Sequence, residues 1–93
     1  MKRVSLALFA VASLSLISTP LLASPTCTTE PQSKWLSEDQ MREKIKEMGY
    51  GEIKVFHKTT TGCYEIYGYN KDGKKAEVYF NPVTGDIVEE NLD

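Results

Sequence analysis

The run from Tyr64 to Val88, YEIYGYNKDGKKAEVYFNPVTGDIV, leaves little freedom in what this chain can fold into. Apolar and polar residues alternate through it, the pattern of strands with one buried face and one wet face. Asn70-Lys71-Asp72-Gly73 and Asn81-Pro82-Val83-Thr84-Gly85 interrupt that alternation with turn chemistry. Pro fixes φ there, while Gly and Asn tolerate φ > 0. No helix fits between these strands, so the run reads as an antiparallel meander.

The same period begins earlier. Glu52 to Lys58 reads as a strand, Thr59 to Gly62 as a turn and Cys63 to Tyr69 as its partner, followed by strands over Lys75 to Phe80 and Asp86 to Glu89. Upstream the period changes. Ser37-Glu38-Asp39-Gln40 fits a capping box with Leu36 and Met41 placed for a hydrophobic staple, and Glu38 and Asp39 suit the positive end of a helix dipole. Met41, Ile45 and Met48 form one apolar stripe at helical spacing, and Gly49 is a natural C′ residue. The expected fold is α+β, with one N-terminal amphipathic helix packed on a four-stranded antiparallel meander sheet.

Alternation assigns the faces. Ile53, Val55, Tyr64, Ile66, Ala76, Val78, Phe80 and Ile87 should meet Met41, Ile45 and Met48 in the core, with Gly68 leaving space for a close approach or a bulge. Lys54, Phe56, Lys58, Glu65, Tyr67, Tyr69, Glu77, Tyr79 and Val88 should line the opposite face.

The first 23 residues are expected to stand outside this fold. Lys2 and Arg3 precede an apolar, small-residue run from Val4 to Leu22, with Pro20 near its end and Ala23 suited to cleavage. That is the layout of a secretory signal peptide, expected over residues 1–23 and cleaved before Ser24. Ser24, Pro25 and Thr26 before Cys27 match a lipidation site poorly, so no stable membrane anchor is expected after cleavage. Without Lys2 and Arg3 the 11 basic residues fall to 9 against 13 acidic ones, a net charge near −4 that does not favour nucleic acid or anionic membrane. Residues 24–36 read as an irregular Pro/Ser/Thr-rich arm, 37–89 as the domain and 90–93 as a polar tail.

The remaining chain is too short for a generous core, and small exported domains of this kind usually carry a staple. Cys27 and Cys63 can supply it as one intramolecular disulfide, which would add about 3–4 kcal/mol in the chain-entropy view. An intermolecular bridge, a redox pair or a metal site are the alternatives. There is no C-x-x-C spacing, and His57 is the single histidine, so a thiolate–histidine site lacks ligands.

Catalytic chemistry finds little support. No G-x-S-x-G, H-E-x-x-H or phosphate-cradling glycine loop occurs, and the turn around Asp72 lacks the ligand series of a calcium loop. Glu65 and Glu77 read as cross-strand partners of Lys54 and Lys58, and His57 as a partly exposed surface residue. The best functional candidate is the aromatic stripe of Phe56, Tyr67, Tyr69 and Tyr79. Tyrosines concentrate at interfaces, but aromatics also favour strands for packing alone, and both readings stay open. Trp35 either plugs the end of the core or stands beside the arm.

From Ser37 to about Glu89 the chain resembles the PepSY domain of peptidase propeptides and YPEB. The resemblance rests on Met48-Gly49-Tyr50 closing the helix, on Cys63-Tyr64-Glu65-Ile66-Tyr67-Gly68, on Asp72 to Phe80, and above all on the Asn81-Pro82-Val83-Thr84-Gly85-Asp86-Ile87 turn. It implies a periplasmic or secreted, non-catalytic protein-binding module, with no catalytic residues and no cofactor. The resemblance further implies a peptidase as the partner, restrained in trans, since no peptidase is expected on the same chain. A monomer is expected. The alternatives are a small ligand- or metal-binding envelope protein that uses the aromatic face or His57, and a structural interaction domain without inhibitory action.

Overall fold

The computed structural model describes residues 24–93, and the expected signal peptide over 1–23 lies outside the described residues. A short 3-10 turn, Gln32–Lys34, leads into α1, Glu38–Glu47. The capping box forms as its residues dictate: the Ser37 hydroxyl accepts from the Gln40 N–H at 3.1 Å, and Gln40 Oε1 accepts from the Ser37 N–H at 2.8 Å. Each bond satisfies a backbone donor the first turn would leave orphaned. At the other end Gly49 N–H donates to Lys46 and Tyr50 N–H to Ile45, at 3.0 and 3.3 Å, the paired bonds of a Schellman motif.

Four strands follow: β1 Ile53–Lys58, β2 Tyr64–Tyr69, β3 Lys75–Phe80 and β4 Ile87–Leu92. They pair antiparallel in the order β1-β2-β3-β4, so the expected meander is present. Both later turns are tied by asparagines. Asn70 Oδ1 accepts from the N–H groups of Asp72 and Lys74, and Asn81 Oδ1 from those of Val83 and Thr84.

Met41 and Ile45 of α1 are fully buried in one cluster with Tyr64, Ile66, Ala76, Val78 and Phe80. The Tyr64 hydroxyl donates to the Leu36 carbonyl at 2.6 Å, which fixes the segment entering the helix against β2. Trp35 meets Tyr64 edge to face at 5.3 Å between centroids, and its indole N–H donates to the Glu30 carbonyl. It therefore does both things its position suggested, sealing the core and holding the arm.

Strict alternation fails in β1. Ile53 stands opposite Gly68, but Val55 stands opposite Tyr67 and Phe56 opposite Ile66, a one-residue register shift at Lys54. A bulge of this kind turns every later side chain to the other face. Phe56, expected on the outer face, packs against the core with its ring 5.0 Å from that of Tyr64 and with the Arg42 guanidinium 4.7 Å from its centre. Val55, expected inside, is 44% exposed. Gly68 marks the place, because a Cβ there would lie 2.5 Å from the Glu52 carbonyl oxygen.

Two further expectations need correction. Met48 is 37% exposed at the end of α1 and Ile87 is 43% exposed, so neither is a core residue. Glu90 to Leu92, read as tail, continue β4 by pairing with Val78, Glu77 and Ala76. Val88 is the extra residue of a second register shift, between Phe80–Ile87 and Tyr79–Glu89.

Candidate interaction face

The sheet face away from the helix is built by alternate residues of four strands. With the β1 bulge counted, Val55 and His57 share it with Glu65, Tyr67 and Tyr69 of β2, with Lys75, Glu77 and Tyr79 of β3, and with Glu89 and Asn91 of β4. Phe56 is thereby removed from the expected aromatic stripe. Tyr67 remains on it at 45% exposure with Val55 as its cross-strand neighbour, and Tyr69 is half-buried at the end of β2. Tyr79 is only 6% exposed.

What covers Tyr79 is the arm. Ser24 Oγ lies 3.4 Å from the Tyr79 hydroxyl, and Cys27 is joined to Cys63 of the strand approach by the expected disulfide. Cys27 N–H donates to the Thr61 carbonyl at 3.1 Å, and Asn81 Nδ2 donates to the Cys27 carbonyl at 3.2 Å. Thr28 runs so close to Gly62 that a Cβ on the glycine would lie 2.1 Å from the Thr28 oxygen. The backbone can pass there only because the glycine has no side chain.

Beneath and beside the arm is a polar network. Glu65, expected to be solvated and paired with lysine, is 5% exposed, with its Oε1 2.7 Å from His57 Nε2. Lys54 instead meets Glu52 at 3.3 Å, and Lys58 donates to Gln32. Glu77 Oε2 accepts from both tyrosine hydroxyls, Tyr67 at 3.1 Å and Tyr79 at 2.8 Å, and Asn91 Nδ2 donates to Glu77 Oε1 at 3.3 Å and to Glu89 at 2.9 Å.

The environment divides the two carboxyls. Burial holds the Glu65 carboxyl above the ordinary range, and hydrogen bonding to Glu77 raises it further, against smaller opposing effects of His57, Tyr79 and Tyr67. Glu77 is pulled below that range, chiefly by its bond from Glu65. Two neighbouring carboxyls ionise together only at extra cost, and it is Glu65 that this environment drives toward its protonated form. The bond to Glu77 first, then burial and the nearby charges, pushes the Tyr67 hydroxyl up to about 12. Burial is the largest cause that raises Tyr79. Both phenols are therefore donors near neutral pH, aimed at a carboxylate.

This arrangement can orient aromatic rings and present hydrogen-bonding groups. Its cysteines are joined, and among the described residues no group of three or more His, Cys, Asp or Glu is placed to hold a metal ion. An open groove of about 480 Å³ crosses the uncovered part, lined by Lys54, Tyr67, Tyr69, Lys75, Glu77 and Asn91 among others. Reading the sequence in strict alternation misses Val55 and the His57–Glu65 contact, and Gly68 was the signal that could have placed the bulge that brings both to this face.

The family model described as peptidase propeptide and YPEB domain matches residues 7–91. No curated protein and no solved structure matches the chain.

Proposed function

The chain belongs to the peptidase propeptide and YPEB domain (PepSY) family, and from that premise we propose that it is an exported, non-catalytic module that binds and restrains a peptidase in trans through the face away from its helix. The observation that carries this reading is Tyr67. It is a half-exposed aromatic beside the exposed Val55, with its hydroxyl already fixed by Glu77. A ring held in place loses little freedom on binding, and such residues are the usual anchors of protein interfaces. The basic and apolar opening of the chain supports export, and among the described residues no helix is long and apolar enough to cross a membrane.

The reading is tested by adding the purified protein to the exported peptidases of its source cell and following substrate hydrolysis. Wild type should slow hydrolysis. Tyr67→Ala should need about thirtyfold more protein for the same effect, the equivalent of about 2 kcal/mol at an anchor. Glu43→Ala, on the solvent side of α1, should match wild type. No inhibition by wild type, or equal inhibition by folded Tyr67→Ala, would reject the proposal.

A further inference from the structure

The arm adds something the binding reading does not contain. From Ser24 to Glu30 its side chains are Ser, Pro, Thr, Cys, Thr, Thr and Glu, with no large apolar group to bury. Yet it closes over Cys63 and Tyr79, both almost fully removed from water on a face whose other half is open. Its non-covalent hold is a few neutral hydrogen bonds: Cys27 N–H to Thr61, Asn81 to Cys27, Ser24 with Tyr79, and Trp35 to Glu30. Such bonds largely replace bonds to water, while each ordered residue of the arm gives up backbone freedom. The covalent bond from Cys27 to Cys63 is what tips that balance.

We propose that residues 24–30 are a redox-releasable strap, and that reduction of Cys27–Cys63 by a dithiol lifts it to extend the binding face across Tyr79. A reductant thiolate attacks Cys27, the half-buried sulfur, and the buried Cys63 leaves as a thiolate. The second thiol of the reductant then displaces Cys27 from the mixed disulfide. Two electrons pass to the protein, the reductant becomes a cyclic disulfide, and its two protons leave two cysteine thiols. The sheet itself does not depend on this bond for its pairing, because β1 to β4 are joined through their own turns and the core cluster contains no arm residue.

The inference deepens the proposed binding face but is tested without any partner. Backbone hydrogen exchange of the oxidised full chain is compared with that in dithiothreitol. The Cys27 amide should lose its protection after reduction, exchanging at least tenfold faster, while the Ile66 and Val78 amides of the paired strands remain protected. Nitration of Tyr79 by tetranitromethane should rise several-fold. The double variant Cys27→Ser with Cys63→Ser should reproduce the reduced pattern. An arm still protected after reduction overturns the inference, because the strap then holds without its bond. Loss of Ile66 and Val78 protection together with the arm, or a double variant that does not fold, overturns it too, because the disulfide then holds the sheet. Either failure leaves the Tyr67 test of the binding face standing, and failure of that test leaves the strap standing.

Discussion

Phe56→Ala and Val55→Ala separate the bulged register from strict alternation. A fully buried Phe loses about 3–5 kcal/mol on truncation to Ala. Phe56 is only partly buried, at the border of the core, where it meets Tyr64 and faces Ile66. Half that loss is about 2 kcal/mol, and the Arg42 guanidinium 4.7 Å from the ring centre adds about 0.5 kcal/mol. For a domain of this size each kcal/mol is worth about 4–8 °C, so Phe56→Ala should lower Tm by about 10–20 °C. Val55 is 44% exposed and gives up little on losing its methyl groups, so Val55→Ala should cost about 0.5 kcal/mol and a few degrees. Thermal unfolding followed by circular dichroism, with the disulfide intact in every sample, measures both. If Val55→Ala is the more costly of the two, the register shift at Lys54 is wrong, and with it the membership of the outer face.

Glu65→Gln should change how stability depends on pH. The folded-state value of Glu65 is raised, so its contribution is full below the ordinary value of 4.5 and is lost as pH rises through the folded value. Glu77 has the opposite sign: its lowered value means its contribution is present above 4.5 and is lost as pH falls. Urea midpoints measured from pH 4.5 upward should fall for wild type and stay nearly level for Glu65→Gln, and parallel curves would show that Glu65 does not hold the proton. Gly68→Ala should cost about 1–3 kcal/mol, because its Cβ would meet the Glu52 carbonyl at 2.5 Å and backbone must move; an unchanged urea midpoint would mean that β1 does not cross there.

What the sequence disclosed was local. The capping box at Ser37, the asparagine-tied turns and the meander order are set by residues within a few positions of one another, and each forms as expected. The faces of β2 and β3 are legible for the same reason, since no irregularity interrupts their pairing. The bulge in β1 is different in kind. It is decided by where Glu52 and Ile53 pass Gly68, a contact between separate strands that no alternation within Ile53 to Lys58 records. Tyr79 reads as exposed from its strand alone, because the arm's course over it follows from a bond spanning 36 residues. Pairing Cys27 with Cys63 was readable; which side chains the joined arm would cover was not.

The two register shifts have a consequence for association. An open four-stranded sheet ends in two outermost strands with unpaired backbone groups, a template on which further copies can stack without limit. Here those strands are β1 and β4, and the pairing of each with its inner neighbour is irregular, at Lys54 and at Val88. Bulged strands present neither a straight nor an evenly spaced row of donors and acceptors. Charge guards the same borders, with Lys54 and Lys58 along one and Glu89, Glu90 and Asp93 along or just beyond the other. The distortion that re-aims Phe56 thus also works against fibre-like growth, and leaves the broad face as the better surface for contact with another protein.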